Sequence, residues 1–440
     1  MTASGFLAAL ALVAAFAIAA LLVRPVAKRR RLGLVHPGPV WLVLAGVFLG
    51  LGSAVLAVTG ESTGPALYVA GSVVAFALGL RASDAVAIRR GDTGPSAPTD
   101  AGTREASNGK ADAVPPSGAR PWVPFALAAL AIGAIAPTLI RSGIPFLTVD
   151  VTGSRTELVG LPIQLVRVAL PALAGLLVFD VLRAGDRRRR LLAVGAVVAI
   201  AGFSVILASR YLIAELAAVL LIAWLLAGRR VPARVGVAVV AAGIVAFGGI
   251  QVLRAYDQAR GNEVGFAVAR SVNRIVLVQP RTVAALERVI PAEEPYLLGL
   301  TWLRRLGPLL GRDDIPNLGY WIYPEVVSGA QETAGYAAPG LIGEAWANFG
   351  PAGLALFVAL GALAERLGAL VARRRETAVD IAAGALAILF LARTHALGFG
   401  GLAILIGLVV AWRILAGPLA GLGGTVRDAI AWRPPAGRAG

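Results

Sequence analysis

The sequence predicts an all-α polytopic membrane protein with about eleven transmembrane helices and one large outward-facing loop. Three observations carry this expectation. Of 440 residues, 58% are hydrophobic and 15% charged, against roughly 45–50% and about 25% in an ordinary soluble domain. The apolar residues come in runs near bilayer-spanning length, about 20 residues. Arginine clusters punctuate every second gap between those runs. A soluble enzyme, a disordered chain and a secreted disulfide scaffold are excluded. With no cysteine, there is no disulfide framework, iron–sulfur cluster or thiolate nucleophile.

The first run, 6–23, lacks a basic n-region and a cleavage signal before the cluster at 24–31, so it reads as a retained helix. Further spans are expected at 40–58, 65–80, 122–140, 161–182, 191–208, 211–227 and 235–250, then at 341–371, 378–396 and 399–415. The basic clusters at 24–31, 81–90, 183–190, 229–234 and 373–375 all fall on one side of this arrangement. The positive-inside rule makes that side cytoplasmic, with the N-terminus outside and the C-terminus inside the cell. Topology thus accounts for a net charge of +16, and nucleic acid is not an expected partner.

The chain divides accordingly into N-terminal transmembrane helices (1–90), a linker (91–121) and a second helical group (122–250). The large extracytoplasmic loop (251–339), the C-terminal helices (340–416) and a cytoplasmic tail (417–440) follow. The linker is rich in Gly, Pro, Ser, Thr and Asp, a composition that cannot bury a core and reads as disordered. The large loop differs. Its nine arginines are balanced by nine acids, and short amphipathic helices are expected at 266–277 and 282–290, followed by repeated prolines. A long ordered loop is uncommon unless functional.

Motifs for nucleotide binding, zinc proteolysis and serine hydrolysis are missing, and the two histidines, His36 and His395, lie far apart in sequence. The candidates for chemistry are therefore outward-facing arginines, acids and aromatics. Arginine forks bind phosphate bidentately, and Trp and Tyr offer flat apolar faces with a polar edge. Arg155 follows the turn Gly143–Pro145. Arg210 occupies a very short outer connection, where arginine is unexpected, and Glu215 lies about a turn inside the next span. An Arg210–Glu215 pair that anchors the turn is the simpler alternative. Gln164 and Arg167 share a helix face just below the outer end of their span. Glu344 sits near the outer mouth, with Asn348 one turn deeper. Arg393 and His395 end the tenth span. His395 has a pKa suited to general-base work, although a solitary histidine is more often structural.

Three stretches carry a family likeness: the Gly-Ile-Pro-Phe-Leu segment leading to Arg155, the Ser-Arg210 turn, and Gly343-Glu344-Ala-Trp-Ala-Asn-Phe-Gly350-Pro-Ala-Gly353. In these, and in the placement of the large loop, the chain resembles the bacterial oligosaccharide repeat-unit polymerases, the Wzy or O-antigen polymerase group. The resemblance implies a fold similar to other membrane-embedded glycosyltransferases that act on lipid-linked sugars. It implies a metal-independent transferase in the cytoplasmic membrane, with no cofactor and an outward-facing site. The substrate would be a polyprenyl-pyrophosphate-linked oligosaccharide. A chain-length regulator and a flippase would be partners beside the lipid bilayer. Under this reading Arg210, Glu344 and His395 are the catalytic candidates. Arg210 would stabilise the leaving pyrophosphate, and Glu344 or His395 would deprotonate the acceptor hydroxyl. Arg155, Gln164, Arg167, Arg254, Asp257, Tyr320, Trp321, Asn348 and Arg393 would line the substrate site, with Asp257 a reserve base. An O-antigen ligase-like transferase, or a flippase or secondary transporter, are the alternatives. The transporter reading is weakened by the lack of visible internal repeats.

Overall fold

The computed structural model describes residues 2–92, 123–143, 161–183, 187–207, 210–229, 261–303, 317–326, 336–374, 377–395 and 398–412. Among these every regular element is helical and no strand occurs. Helices α1 (Ala3–Arg29), α2 (Pro37–Thr59) and α3 (Gly64–Arg89) open the chain. Helices α4 (Val123–Ser142), α5 (Leu161–Arg183), α6 (Arg187–Ile206) and α7 (Arg210–Leu226) follow. Next, α8 (Glu263–Val272) runs through a π-helical turn at Asn273–Leu277 into α9 (Val278–Val289). The last helices are α10 (Gly340–Phe349), α11 (Leu354–Arg373), α12 (Ala378–Ala392) and α13 (Gly398–Trp412).

Four stretches are long and apolar enough to cross a membrane: Ala3–Arg29, Pro37–Thr59, Gly64–Arg89 and Gly340–Arg373. Shorter apolar helices occur in α4 to α7, α12 and α13. The architecture is compatible with a helical membrane protein. Ten of the eleven expected runs overlap described helices, and the run at 235–250 lies outside the described residues. The expected single span at 341–371 is broken. Gly350 adopts φ +56°, and the turn Gly350–Gly353 separates α10 from α11.

Two packed groups form the body. In the first, α3 lies against both α1 and α11. The contact with α11 is close because glycines face backbone: Gly79 abuts the Val358 carbonyl, and Gly361 abuts the Phe76 carbonyl. Small residues let apolar helices approach this way when hydrophobicity alone offers no drive. At the centre, Trp41 of α2 is fully buried and stacks on Phe76 at 4.0 Å between ring centres. Phe357 of α11 stands 6.2 Å away. In the second group, α4 to α7 enclose Ala131, Ile135, Val166, Leu173, Leu207 and Leu216. Helix α12 joins the groups by packing on α2, α5 and α7.

One end of the first group gathers the charges. Arg30, 1% exposed, donates from Nε to Glu365 of α11 at 2.9 Å. His36 Nδ1 accepts from the Gly38 amide at 3.1 Å, so its Nε2 carries the proton in the neutral ring and faces Glu365 Oε2 at 3.4 Å. Arg29 pairs with Asp84, and Asp84 also meets Arg81 at 3.4 Å. Arg373 pairs with Asp92, which lies 3.8 Å from Arg30. Residues of three basic clusters, 24–31, 81–90 and 373–375, thus share one end of the bundle. Removing one partner of the buried Arg30–Glu365 pair costs about 3–5 kcal/mol, because the other charge is left uncompensated.

The segment expected as a large outer loop is partly drawn into the body. Its π-helical turn packs on a second one, Gly46–Gly50 within α2, and the Val276 carbonyl abuts Gly52. Arg281 then meets Glu61 beyond the end of α2 at 3.3 Å. Helix α9 buries Gln279, Val283, Leu286 and Val289. On its flank Glu287 packs against Gly64 at the start of α3, with no room for a side chain there.

Burial pushes the Glu287 carboxyl up to about 8, from an ordinary 4.5. Between these values the folded state holds a proton that the unfolded chain has released, so Glu287 erodes stability as pH rises through that window. In thermal unfolding of the detergent-solubilised chain, Glu287→Gln is expected to match the parent at pH 4 and to melt higher at pH 9. Equal melting at both values would remove this account of Glu287.

Candidate functional site

The sequence candidates converge on the turn that follows α12. Arg393 caps that helix, and its Nη2 pairs with Glu215 Oε1 of α7 at 2.6 Å. Both side chains are enclosed, at 10% and 4% exposure. The guanidinium also lies over the Phe390 ring, 5.2 Å from its centre. From α5, Arg167 is close enough for its charge to act on the same carboxylate, and its buried Nε has no hydrogen-bond partner. Two arginines therefore act on one glutamate in an enclosed, apolar setting. Arg210 is the first residue of α7, five positions before Glu215, or about 7.5 Å along the axis. Gln164 lies in the first turn of α5, about one turn before Arg167. The side chains of Arg210 and Gln164 are outside what is described.

The next residues of the turn are tied inward. His395 is buried, its Nε2 lies 3.1 Å from the Trp41 carbonyl, and its ring centre stands 4.6 Å from that of Trp41. Thr394 Oγ1 accepts from Trp41 Nε1 at 3.3 Å, and Gln279 Nε2 donates to the His395 carbonyl at 2.8 Å. Gly340, at φ +60°, touches that same carbonyl with no space for a Cβ. His395 was a candidate base near the outer face, with a structural role the commoner alternative. Its ring is packed and hydrogen-bonded under the indole of Trp41.

Glu344 was expected to be the first-choice base. Its Oε2 accepts from the Phe399 amide at 2.7 Å, and its carboxylate fills the space beside Gly398. An acidic side chain on the free amides of a helix start is a capping arrangement, favoured by hydrogen bonding and by the helix dipole. Glu344 thus clamps α10 to the start of α13. Asn348, expected at the substrate, is fully buried and fully engaged. Its Nδ2 donates to the Glu344 carbonyl at 2.7 Å and to Thr301 Oγ1 at 2.6 Å, while its Oδ1 accepts from the Gly299 amide at 2.8 Å. It joins the segment around Thr301 to α10 rather than facing a ligand.

Tyr320 and Trp321 stand apart from this cluster. They occupy the single helical turn Leu318–Trp321, whose Leu318 packs with Leu286, Val289 and Ala347 in a small third core. Both are exposed, and Tyr320 meets Tyr336 edge to face at 5.1 Å. Arg155, Arg254 and Asp257 lie outside the described residues.

Sequence reasoning saw Glu215 only as a neighbour of Arg210, and it missed the pairing with Arg393, 178 positions away (393 minus 215). The one available signal was the rule that membrane-depth charges seek each other. Among the described residues, no group of three His, Asp or Glu side chains is placed to hold a metal ion. No known protein family, curated protein or solved structure matches the chain.

The capping geometry separates two roles for Glu344. Glu344→Gln keeps an oxygen acceptor for the Phe399 amide, and Glu344→Ala removes it at a cost of about 1 kcal/mol. The glutamine variant is expected to retain near-parental activity and melting temperature, while the alanine variant melts lower. An inactive yet fully stable Glu344→Gln protein would restore the base assignment.

Proposed function

We propose that the chain is a metal-independent glycosyltransferase of the cytoplasmic membrane that polymerises polyprenyl-pyrophosphate-linked oligosaccharide repeat units at the outer face. The supporting observation is the enclosed Arg167–Glu215–Arg393 cluster, beneath the helix start that carries Arg210. Guanidinium groups gathered in an enclosed setting favour a multiply charged anion. A polyprenyl pyrophosphate combines that anion with a tail soluble in the bilayer. In this reading about eleven helices span the membrane, with the arginine-rich end cytoplasmic, the N-terminus outside and the C-terminus inside.

The donor pyrophosphate takes the place of Glu215 on Arg393, with Arg167 and Arg210 completing the seat. The acceptor hydroxyl oxygen attacks the anomeric carbon, the carbon–oxygen bond to pyrophosphate breaks, and polyprenyl pyrophosphate leaves as an anion held by the arginines. Glu215, released from Arg393, receives the hydroxyl proton. This role passes to Glu215 because Glu344 and His395 are committed to hydrogen bonds elsewhere. Tyr320 and Trp321 offer exposed flat faces for the sugar rings of the growing chain.

The test is incubation of the purified protein, in lipid, with a polyprenyl-pyrophosphate repeat unit, with products resolved by size. The parent is expected to yield a ladder of repeat-unit multiples. Arg393→Gln and Arg210→Gln are expected to lose about a hundredfold in rate or more, the loss typical of removing one group that stabilises developing charge. Transfer of the glycan intact to a different acceptor would make it a ligase, and movement of the intact lipid across vesicles a transporter.

A further inference from the structure

Helix α9 reaches the turn of Arg393 through Gln279, which holds the His395 carbonyl. Just beyond Gln279 the same helix forms one wall of a cleft of about 310 Å³. That volume lies at the lower end of the roughly 300–1,000 Å³ usual for small-molecule sites. Arg281 and Arg288 both line the cleft. They are seven residues apart, so they share a face of α9 about two turns from each other. Each meets an acid from another element. Arg281 pairs at 3.3 Å with Glu61, past the end of α2, and Arg288 pairs with Glu325 in the single turn Tyr323–Val326. Between the two pairs, the small side chains of Ala284 and Ala285 leave the space open.

The charges of this cleft select its occupant. Two guanidinium groups and two carboxylates give it strong donors and strong acceptors with no net charge. An anion would meet the glutamates and a cation the arginines. An uncharged ligand rich in hydroxyls suits both, because each hydroxyl can donate to a carboxylate and accept from a guanidinium. The four side chains are between 38% and 61% exposed, and ion pairs in that setting add little to stability. Opening them to a ligand therefore costs the fold little. The adjoining turn, Leu318–Trp321, carries the exposed rings of Tyr320 and Trp321, flat faces suited to sugars. The cleft also stands at the end of α2 remote from the Arg30 cluster, which in the proposed orientation is the outer face.

We propose that this cleft binds an uncharged sugar ring of the glycan, its hydroxyls bridging Arg281 to Glu61 and Arg288 to Glu325. The site rests on the glycosyltransferase reading and gives the growing chain a second hold, apart from the residues that meet the reacting bond.

The lack of cysteine makes the test direct. Ala284→Cys in the full chain sets a single thiol on the cleft floor, and Glu293→Cys sets one at an exposed position just after α9 as the control. In lipid nanodiscs, the rate of modification by a small methanethiosulfonate reagent is measured alone and with two probes. One is the lipid-free oligosaccharide released from the polyprenyl-pyrophosphate repeat unit, and the other is inorganic pyrophosphate. The oligosaccharide is expected to slow modification several-fold at position 284 and not at 293, and pyrophosphate to change neither. Adding Glu61→Ala/Arg281→Ala, which removes one exposed pair whole, is expected to raise the oligosaccharide concentration for half-protection about tenfold. A rate at 284 that the oligosaccharide leaves unchanged would overturn the proposal. So would equal protection by pyrophosphate, protection unaffected by loss of the pair, or a thiol at 284 that fails to react even without a probe. A product ladder without protection removes the cleft and leaves the transferase, whereas protection without a ladder keeps the cleft and removes the transferase.

Discussion

The ion pair between Glu215 and Arg393 is the constraint around which the rest of the molecule is arranged. Two charges enclosed in an apolar bundle must hold each other, and doing so fixes where α12 stops and how its turn faces α7. Once Arg393 is held, Thr394 and His395 fall against Trp41, and the chain re-enters helix at Gly398 under the Glu344 cap. Trp41 carries the same constraint into α3 and α11 through Phe76 and Phe357. Four separate stretches of sequence are thereby locked to one turn.

The two groups of charge differ in where they sit. Around Arg30, the acids Glu365, Asp84 and Asp92 meet Arg29, Arg30, Arg81 and Arg373 at one end of the bundle, and the cluster acts as a brace between α1, α3 and α11. Around Arg393, two enclosed arginines act on a single carboxylate. That second group lies beneath the helix start that carries Arg210, and this gathering of guanidinium groups is the physical basis for placing the anion at Arg393.

The helices were legible because bilayer-length apolar runs and arginine punctuation are strong local signals. The bounds expected at 161–182 recur as Leu161–Arg183, and the start expected at 65 recurs in Gly64–Arg89, which runs on through the basic cluster to Arg89. The break at Gly350 was not, since 341–371 reads as one apolar run, and only the backbone reveals the positive φ. The site residues were found in part. Glu344, Asn348, Arg393 and His395 do gather at one turn, but their roles depend on contacts that no spacing rule encodes. Phe399 offers its amide to Glu344 across 55 positions, and Trp41 covers His395 across 354. The Arg30–Glu365 pair spans 335 positions and left no trace in sequence. Helix α8 was anticipated as amphipathic, whereas the packing of its following turn on α2 was not, because 251–339 reads as a loop outside the membrane.

The central claim is that an anionic substrate group displaces Glu215 from Arg393. Binding of a polyprenyl pyrophosphate to the purified protein in lipid nanodiscs, compared between the parent, Glu215→Gln and Arg393→Gln, tests it most directly. The account predicts that Glu215→Gln binds more tightly than the parent, since the competing carboxylate is gone, and that Arg393→Gln binds more weakly. Weaker binding by a folded Glu215→Gln protein, or affinity unchanged in Arg393→Gln, would contradict it.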